Sequence, residues 1–76
     1  MSAENNIIIL CENIKALRIK NNLSKKEMAQ KIGIGIKSLT AIESGILPRS
    51  VNATTLYKIH KEFGISIENL LESRIA

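Results

Sequence analysis

Apolar residues between positions 25 and 44 recur at the spacing of two short helices. The apolar positions of this segment are Met28, Ala29 and Ile32, followed after a gap by Leu39 and Ile42. Each set lies on one face of a helix, so both helices are predicted to bury that face in a shared core. Gly33 stands between them, where a left-handed backbone conformation would let the first helix end and the chain turn. Two short helices joined in this way, with Ile34 filling the joint, are typical of a helix-turn-helix.

A longer helix is predicted before this segment, from about Ile7 to Asn21. Its apolar residues also follow the helical period, and they are Ile7, Leu10, Cys11, Ile14 and Leu17. Three further isoleucines, Ile8, Ile9 and Ile19, lie outside that stripe, so they either widen it or leave apolar surface for another subunit. The polar stretch 1–6 is expected to fray, and the Asn21–Asn22 pair is expected to end the helix.

Capping residues predict where the remaining helices begin and end. The expected N-caps of helices 2 to 5 are Ser24, Gly35, Asn52 and Ser66, and the expected stops are Gly33, Gly45 and Gly64. Ser24 is followed three residues later by Glu27, which is the pattern of a capping box. Helix 3 is expected to run from about Ile36 to Ser44. Five helices with short loops, no strand pattern and no repeat predict an all-α single domain over residues 1–76.

The chain carries one cysteine and one histidine among its 76 residues. Cys11 therefore has no disulfide partner in the chain, and Cys11 and His60 alone cannot hold zinc. His60 lies on the predicted apolar face of helix 4, where we expect a partly buried, hydrogen-bonded side chain. The longest apolar run, 7–11, is too short to cross a membrane, so we expect a soluble, cytoplasmic protein with no membrane partner. Without paired catalytic groups or a glycine-rich phosphate loop, we predict no enzyme, no cofactor, no metal and no small-molecule ligand.

Positive charge is concentrated where the helix-turn-helix is predicted. Residues 15–49 contain eight Lys and Arg against two Glu, whereas residues 1–14 carry two Glu and residues 50–76 are balanced. The net charge of +4 therefore arises in this central segment. A surface that binds nucleic-acid phosphates requires such a concentration, although a basic face exposed only to solvent is the alternative explanation.

An ordered set of residues resembles the DNA-binding domain of the lambda repressor and Cro family, also called the XRE family. The set comprises Leu17-Arg18, Leu23-Ser24, Glu27-Met28-Ala29, Ile32-Gly33-Ile34, Leu39, Ile42-Glu43, Gly45, Leu56, Ile59 and Phe63-Gly64-Ile65-Ser66. The resemblance covers about residues 13–72 and implies a compact five-helix, lambda-repressor-like domain. It also implies that Arg18 and Glu43 form a buried structural ion pair. The alternative is that both are ordinary solvated charges.

Helix 3 is the predicted recognition element. In the family that the chain resembles, the N-terminal half of this helix enters the major groove of double-stranded DNA and reads base edges. With Leu39 and Ile42 facing the core, the helical period predicts which residues face outward. Lys37, Ala41 and Ser44 point directly outward, and Ser38 and Thr40 flank them.

The base contacts implied by the resemblance are Ile36, Lys37, Thr40 and Ala41. Ile36 and Ala41 would pack against thymine methyl groups, Lys37 would donate to guanine, and Thr40 would serve a base or a phosphate. Two alternatives stay open. Ile36 is either a base contact or a core residue at the start of the helix, and Lys37 contacts either a base or a phosphate.

Phosphate contacts are expected from hydroxyl and basic residues near the helix-turn-helix, namely Ser24, Lys25, Lys26, Ser38, Ser44 and Arg49. The first three open helix 2, whose N-terminal amides and positive dipole end favour an anion. Such contacts orient a protein on the duplex without reading its sequence.

We expect a sequence-specific transcriptional regulator that binds a palindromic operator as a homodimer. One domain reads only a few base pairs, and a two-fold dimer doubles the contacts. The candidate residues for the dimer surface are Ile67, Leu70, Leu71 and Ile75, together with the spare isoleucines of helix 1. The alternative for the helix 5 residues is that they close the core of the monomer.

A second hypothesis is a protein-interaction module, such as an antitoxin or a co-regulator, that uses the same scaffold to hold a protein. Apolar residues at Ile36 and Ala41 on the outward side of helix 3 favour it. The basic central segment favours DNA instead.

Overall fold

Five α-helices make up the computed structural model, which describes the backbone of residues 3–75 and the side chains of residues 6–75. They are α1 (Ala3–Lys20), α2 (Lys25–Ile32), α3 (Ile36–Glu43), α4 (Ala53–Phe63) and α5 (Ile67–Glu72). Residues 3–75 contain no strand, which confirms the predicted all-α class. No helix in that range has both the length and the apolar character needed to cross a membrane.

The first helix is longer than its apolar pattern predicted. It begins at Ala3 and not near Ile7, because residues 3–6 contain no Gly or Pro to interrupt it. Of the stretch expected to fray, Met1 and Ser2 lie outside the described residues. At the other end the helix stops at Lys20, and Asn22 takes a left-handed conformation with a φ of 57°.

The core lies where α1 packs on α3 and α5, and where α2 packs on α3 and α4. Its buried apolar residues are Leu10, Cys11, Ile14, Leu17, Met28, Ala29, Ile32, Leu39, Ile42, Ile59 and Leu70. Both apolar faces of the predicted helix-turn-helix are therefore in one core.

The buried face of α1 is rotated from the predicted stripe. Ile7 was expected inside and is 38% exposed, whereas Ile9 is buried. Ile9 lies one turn before Asn13, which is buried against the end of the chain, so packing extends toward that side of the helix. Ile8 and Ile19 both face solvent.

Capping geometry agrees with the residues predicted to start the helices. The Ser24 hydroxyl oxygen accepts from the Glu27 amide at 3.1 Å, and the Ser24 amide donates to Glu27 Oε1 at 2.9 Å, which completes the capping box. The side chains of Asn52 and Ser66 likewise accept from the amides three residues later. Gly35 caps α3 without a side-chain hydrogen bond.

The chain after α4 closes the core of the monomer. Leu70 is 0% exposed, so its placement on a dimer surface was wrong. It is buried because α5 packs directly against α1. Leu71 and Ile75 are partly buried against the same core, while Ile67 is exposed.

Helix α4 packs on the core through its predicted apolar residues Leu56, Ile59 and Phe63, of which Ile59 is fully buried and the other two are partly buried. Thr55, one turn before Ile59, is 4% exposed and extends this side. His60 lies beside that side and is exposed, contrary to the expectation of partial burial. Its Nδ1 atom is 2.8 Å from the carbonyl oxygen of Ile65, so the expected hydrogen bond is present.

Asn13 is a buried polar residue of α1 that the apolar pattern does not explain. It is 1% exposed, and its Nδ2 group donates to the carbonyl oxygens of Leu70 at 2.8 Å and Ser73 at 2.7 Å. Its Oδ1 atom accepts from the amide of Ile75 at 3.1 Å. This side chain therefore ties the end of α5 and the segment after it to the first helix.

Candidate nucleic-acid interface

The turn between α2 and α3 is built around Gly33. This residue has a φ of 76°, and its amide donates to the carbonyl oxygen of Ala29, which also accepts from the amide of Ile34 at 3.0 Å. A Cβ atom at Gly33 would lie 2.7 Å from Nζ of Lys58. The left-handed backbone conformation therefore favours glycine here, whereas the flexible end of the Lys58 side chain can move aside. The turn fixes α3 against α2 with one side of α3 facing solvent.

Helix α3 has a buried side and an exposed side, as its period predicted. Ile36 is 48% exposed at the first turn, so it is not a core residue. Lys37 and Thr40 are exposed, whereas Ala41, which was predicted to point directly outward, is half-buried. The N-terminal half of α3 thus presents an apolar group, an ammonium group and a hydroxyl to the outside. The residues that anchor its buried side are Leu39 and Ile42.

The start of α2 presents two lysines beside helix-terminal amides. Lys25 and Lys26 are exposed, and neither forms an ion pair with any described side chain. Their amides lie in the first turn, where a helix supplies no internal acceptor and the dipole favours an anion. The hydroxyl oxygen of Ser24 accepts from the Glu27 amide, and its hydroxyl hydrogen is directed to the Glu27 carboxylate, so Ser24 is a weak candidate for phosphate binding.

Glu27 weakens the attraction of this helix end for an anion. Hydrogen bonds from the backbone and side chain of Ser24 lower the pKa of the Glu27 carboxyl, so it stays ionised at neutral pH. The two lysines outnumber this single negative charge, and the end of α2 remains cationic.

Hydroxyl and guanidinium groups lie along α3 and in the loop that follows it. The hydroxyl oxygens of Ser38 and Ser50 are 2.8 Å apart. Ser44 donates to the carbonyl oxygen of Thr40 at 3.1 Å, so its only hydrogen is used within α3 and Ser44 is a weak candidate for phosphate binding. Arg49 is exposed and has no ion-pair partner among the described side chains.

Ser50 is a candidate contact that the sequence analysis missed. It is exposed, and its hydroxyl adjoins that of Ser38, which was predicted to contact phosphate. No local signal marks this pair, because its members are 12 residues apart and meet only through the loop after α3.

Arg18 of α1 holds the C-terminal end of α3 in place. Its Nε and Nη2 groups donate to the two carboxylate oxygens of Glu43 at 2.6 and 3.0 Å. Its Nη1 group donates to the carbonyl oxygen of Leu23 at 3.1 Å. The hydrogen bonds to Glu43 raise the pKa of the Arg18 guanidinium above its usual value, so this group stays charged. One arginine thereby links α1, the loop before α2 and the end of α3.

Comparisons with known proteins agree with this architecture. Residues 11–73 match the family described as helix-turn-helix domain. The chain is also similar to the uncharacterized HTH-type transcriptional regulator MJ0272 of Methanocaldococcus jannaschii, with 33% identity over 57 residues that cover 75% of this chain and 83% of that protein. No solved structure gives a significant match. Because the family match spans most of the chain and includes α2, the turn and α3, the chain belongs to the helix-turn-helix domain family, which confirms the resemblance seen in its sequence.

Proposed function

We propose that this protein is a sequence-specific regulator of transcription that binds double-stranded DNA. In this proposal α3 lies in the major groove, with Ile36, Lys37, Thr40 and Ala41 at base edges. The domain family supports a DNA-binding role, and the related archaeal protein is named as a transcriptional regulator. Domains of this family act by binding and not by catalysis.

The observation that carries the proposal is the arrangement of cations around the exposed half of α3. Ile36 and Lys37 occupy its first turn, and Lys37 has no ion-pair partner among the described side chains. Lys25 and Lys26 open the neighbouring helix, and Arg49 lies in the following loop. A major groove presents thymine methyl groups and guanine acceptors between two rows of phosphates, which suits an apolar residue bordered by unpaired cations.

We propose further that the protein binds a palindromic operator as a homodimer. Helix α3 has eight residues, and its exposed N-terminal half reaches only a few base pairs. A two-fold dimer presents this helix twice, and the symmetry of the operator then matches the symmetry of the protein.

The experiment that tests the proposal is selection from a library of random DNA duplexes with the purified full chain at fixed salt. We expect enrichment of a near-palindromic consensus. The matched control is Lys61→Ala, which removes one exposed positive charge from α4 outside the interface, just as Lys37→Ala removes one from α3. The control should return the wild-type consensus, whereas Lys37→Ala should relax it at one position of each half-site.

A protein partner on the same surface is the second candidate function. The observation that favours it is the 48% exposure of Ile36, which would also suit an apolar pocket on another protein. The selection experiment separates the two functions, because a module that binds only protein enriches no sequence above the starting library. That result would overturn the proposed DNA-binding role.

A further inference from the structure

A groove separates the outer side of α1 from the C-terminal end of α3. The α1 residues that line it include four exposed or charged side chains, namely Ile8, Glu12, Lys15 and Ile19. The two isoleucines are 45% and 56% exposed, although each is large and apolar. Ser44 and Gly45 lie on the opposite wall. None of the four α1 residues belongs to the DNA interface proposed above.

These four residues follow one another at intervals of four, three and four, which is the spacing by which two helices pack along their length. The stripe formed by these four residues, called the seam below, is also symmetric. Ile8 and Ile19 form its ends and Glu12 and Lys15 its middle, and both pairs are centred on the same point of the helix. An antiparallel second copy of α1 would therefore set Ile8 against the partner's Ile19 and Glu12 against the partner's Lys15.

We propose that a second copy of this chain occupies the groove, with the two α1 helices antiparallel about a two-fold axis. The proposal rests on the proposed function in that it assigns a surface to the proposed homodimer. Two-fold symmetry makes every contact occur twice, so the dimer covers four exposed isoleucines and forms two Glu12–Lys15 pairs.

Charge selects this occupant and this direction. A parallel pair in register would set Glu12 against Glu12 and Lys15 against Lys15, and like charges at these positions disfavour that arrangement. Within the monomer Glu12 forms an ion pair with Arg74. A carboxylate has two oxygens that accept several hydrogen bonds, so Glu12 has room for the partner's Lys15 as well.

The first test exchanges the two charges and measures mass by analytical ultracentrifugation without DNA. Wild type should dimerise at micromolar concentration. Lys15→Glu should raise the dissociation constant of the dimer about tenfold, because each substitution turns two attractive pairs into repulsive ones. Glu12→Lys should weaken the dimer in the same way. The double variant, which restores opposite charges and the wild-type net charge, should recover dimerisation.

The second test determines which ends of the seam meet. Residues 8 and 19 are separated by about 16 Å along one helix, so an antiparallel dimer brings only unlike positions together. Ile8→Cys mixed with Ile19→Cys should form a disulfide-linked dimer under mild oxidation, whereas each variant alone should not. Wild type is the control, because its Cys11 is only 2% exposed.

Several outcomes would overturn the proposal. They are a wild-type chain that stays monomeric up to millimolar concentration, a dimer that neither Lys15→Glu nor Glu12→Lys weakens, and cross-linking of Ile8→Cys with itself. Circular dichroism of each variant verifies that it is folded before the mass is interpreted. Binding to a single half-site is measured separately with the double variant, whose α3 and net charge are those of wild type. If neither wild type nor the double variant self-associates but the double variant still binds a half-site, this interface is refuted and the DNA-binding proposal stands.

Discussion

The carboxylate of Glu43 is buried more deeply than the guanidinium of Arg18 with which it pairs, since the two side chains are 6% and 19% exposed. Removing Arg18 therefore leaves an almost buried carboxylate without a cation, whereas removing Glu43 leaves a guanidinium that still reaches water. We expect Arg18→Ala to lower the free energy of unfolding by about 3–5 kcal/mol and Glu43→Ala by about 2–3 kcal/mol. Urea denaturation at neutral pH measures both.

The control for this prediction is the ion pair between Lys31 and Glu62. Its nitrogen and oxygen are 3.7 Å apart and both side chains are 43% exposed, so Lys31→Ala should cost less than about 1 kcal/mol. If Glu43→Ala were as mild as Lys31→Ala, the Arg18–Glu43 pair would not be a structural anchor of α3.

A second prediction concerns acid stability and the capping box of α2. Hydrogen bonds from Ser24 lower the pKa of Glu27 in the folded state, so ionisation of this carboxyl stabilises the fold. The contribution is present above the unfolded pKa of about 4.3 and is lost as the pH falls through the lower folded value. Glu27→Gln, which does not titrate, should therefore narrow the gap between the melting temperatures at pH 7 and pH 3. An unchanged gap would show that the Glu27 carboxyl does not contribute to the loss of stability in acid.

A third prediction concerns Asn13. Asn13→Ala removes three hydrogen bonds to the end of the chain and should cost about 2–4 kcal/mol. Asn13→Asp should cost more, because a buried carboxylate cannot donate to the two carbonyl oxygens that it would face. Asn21→Ala is the control, because the side-chain Nδ2 group of Asn21 makes one part-buried hydrogen bond to the Leu17 carbonyl oxygen. Its loss should cost about 1 kcal/mol or less.

Hydrogen exchange locates the effect of the Asn13 substitutions. The amide of Ile75 donates to Asn13, so it should exchange much faster in Asn13→Ala than in wild type. Equal exchange of Ile75 in the two proteins would mean that other contacts hold the end of the chain.

Local chemistry explains why much of this fold could be predicted from the sequence. The Ser24–Glu27 box and the left-handed Gly33 are decided within a few residues, and both were predicted. The exposed side of α3 follows from its period, because Leu39 and Ile42 leave a helix only one way to face the core. The outward position of Lys37 was predictable for the same reason.

Contacts between distant parts of the chain were not predictable in the same way. Asn13 lies three residues after Leu10 and four before Leu17, which marks it as a polar residue at a core position. Its partners are backbone atoms 57 to 62 residues away, so no local pattern identifies them. Leu70 illustrates the same limit, because a helix of six residues does not reveal whether its apolar side meets its own core or another subunit.

A fourth prediction separates phosphate binding from base reading. Lys25→Ala and Lys26→Ala should weaken binding to specific and random duplexes alike, and each should reduce the salt dependence by about one phosphate contact. Lys37→Ala should instead lose about 1–3 kcal/mol of discrimination at one base position. Titrations against both duplexes at several salt concentrations measure the two effects. If Lys37→Ala behaved like Lys25→Ala, Lys37 would be a phosphate contact and not a base contact.

The last prediction joins the symmetry of the dimer to the geometry of the duplex. Two copies of α3 on one face of B-DNA are spaced by about one helical turn, roughly 34 Å, so the operator should be a near-palindrome with half-site centres about 10 base pairs apart. Inserting about five base pairs between the half-sites turns the second half-site to the opposite face and should abolish high-affinity binding. Inserting about ten restores the face but doubles the separation, and a dimer joined through rigid helices should recover little affinity. Equal affinity for the three operators, measured by gel shift at fixed salt, would mean that each domain binds alone or without regard to sequence.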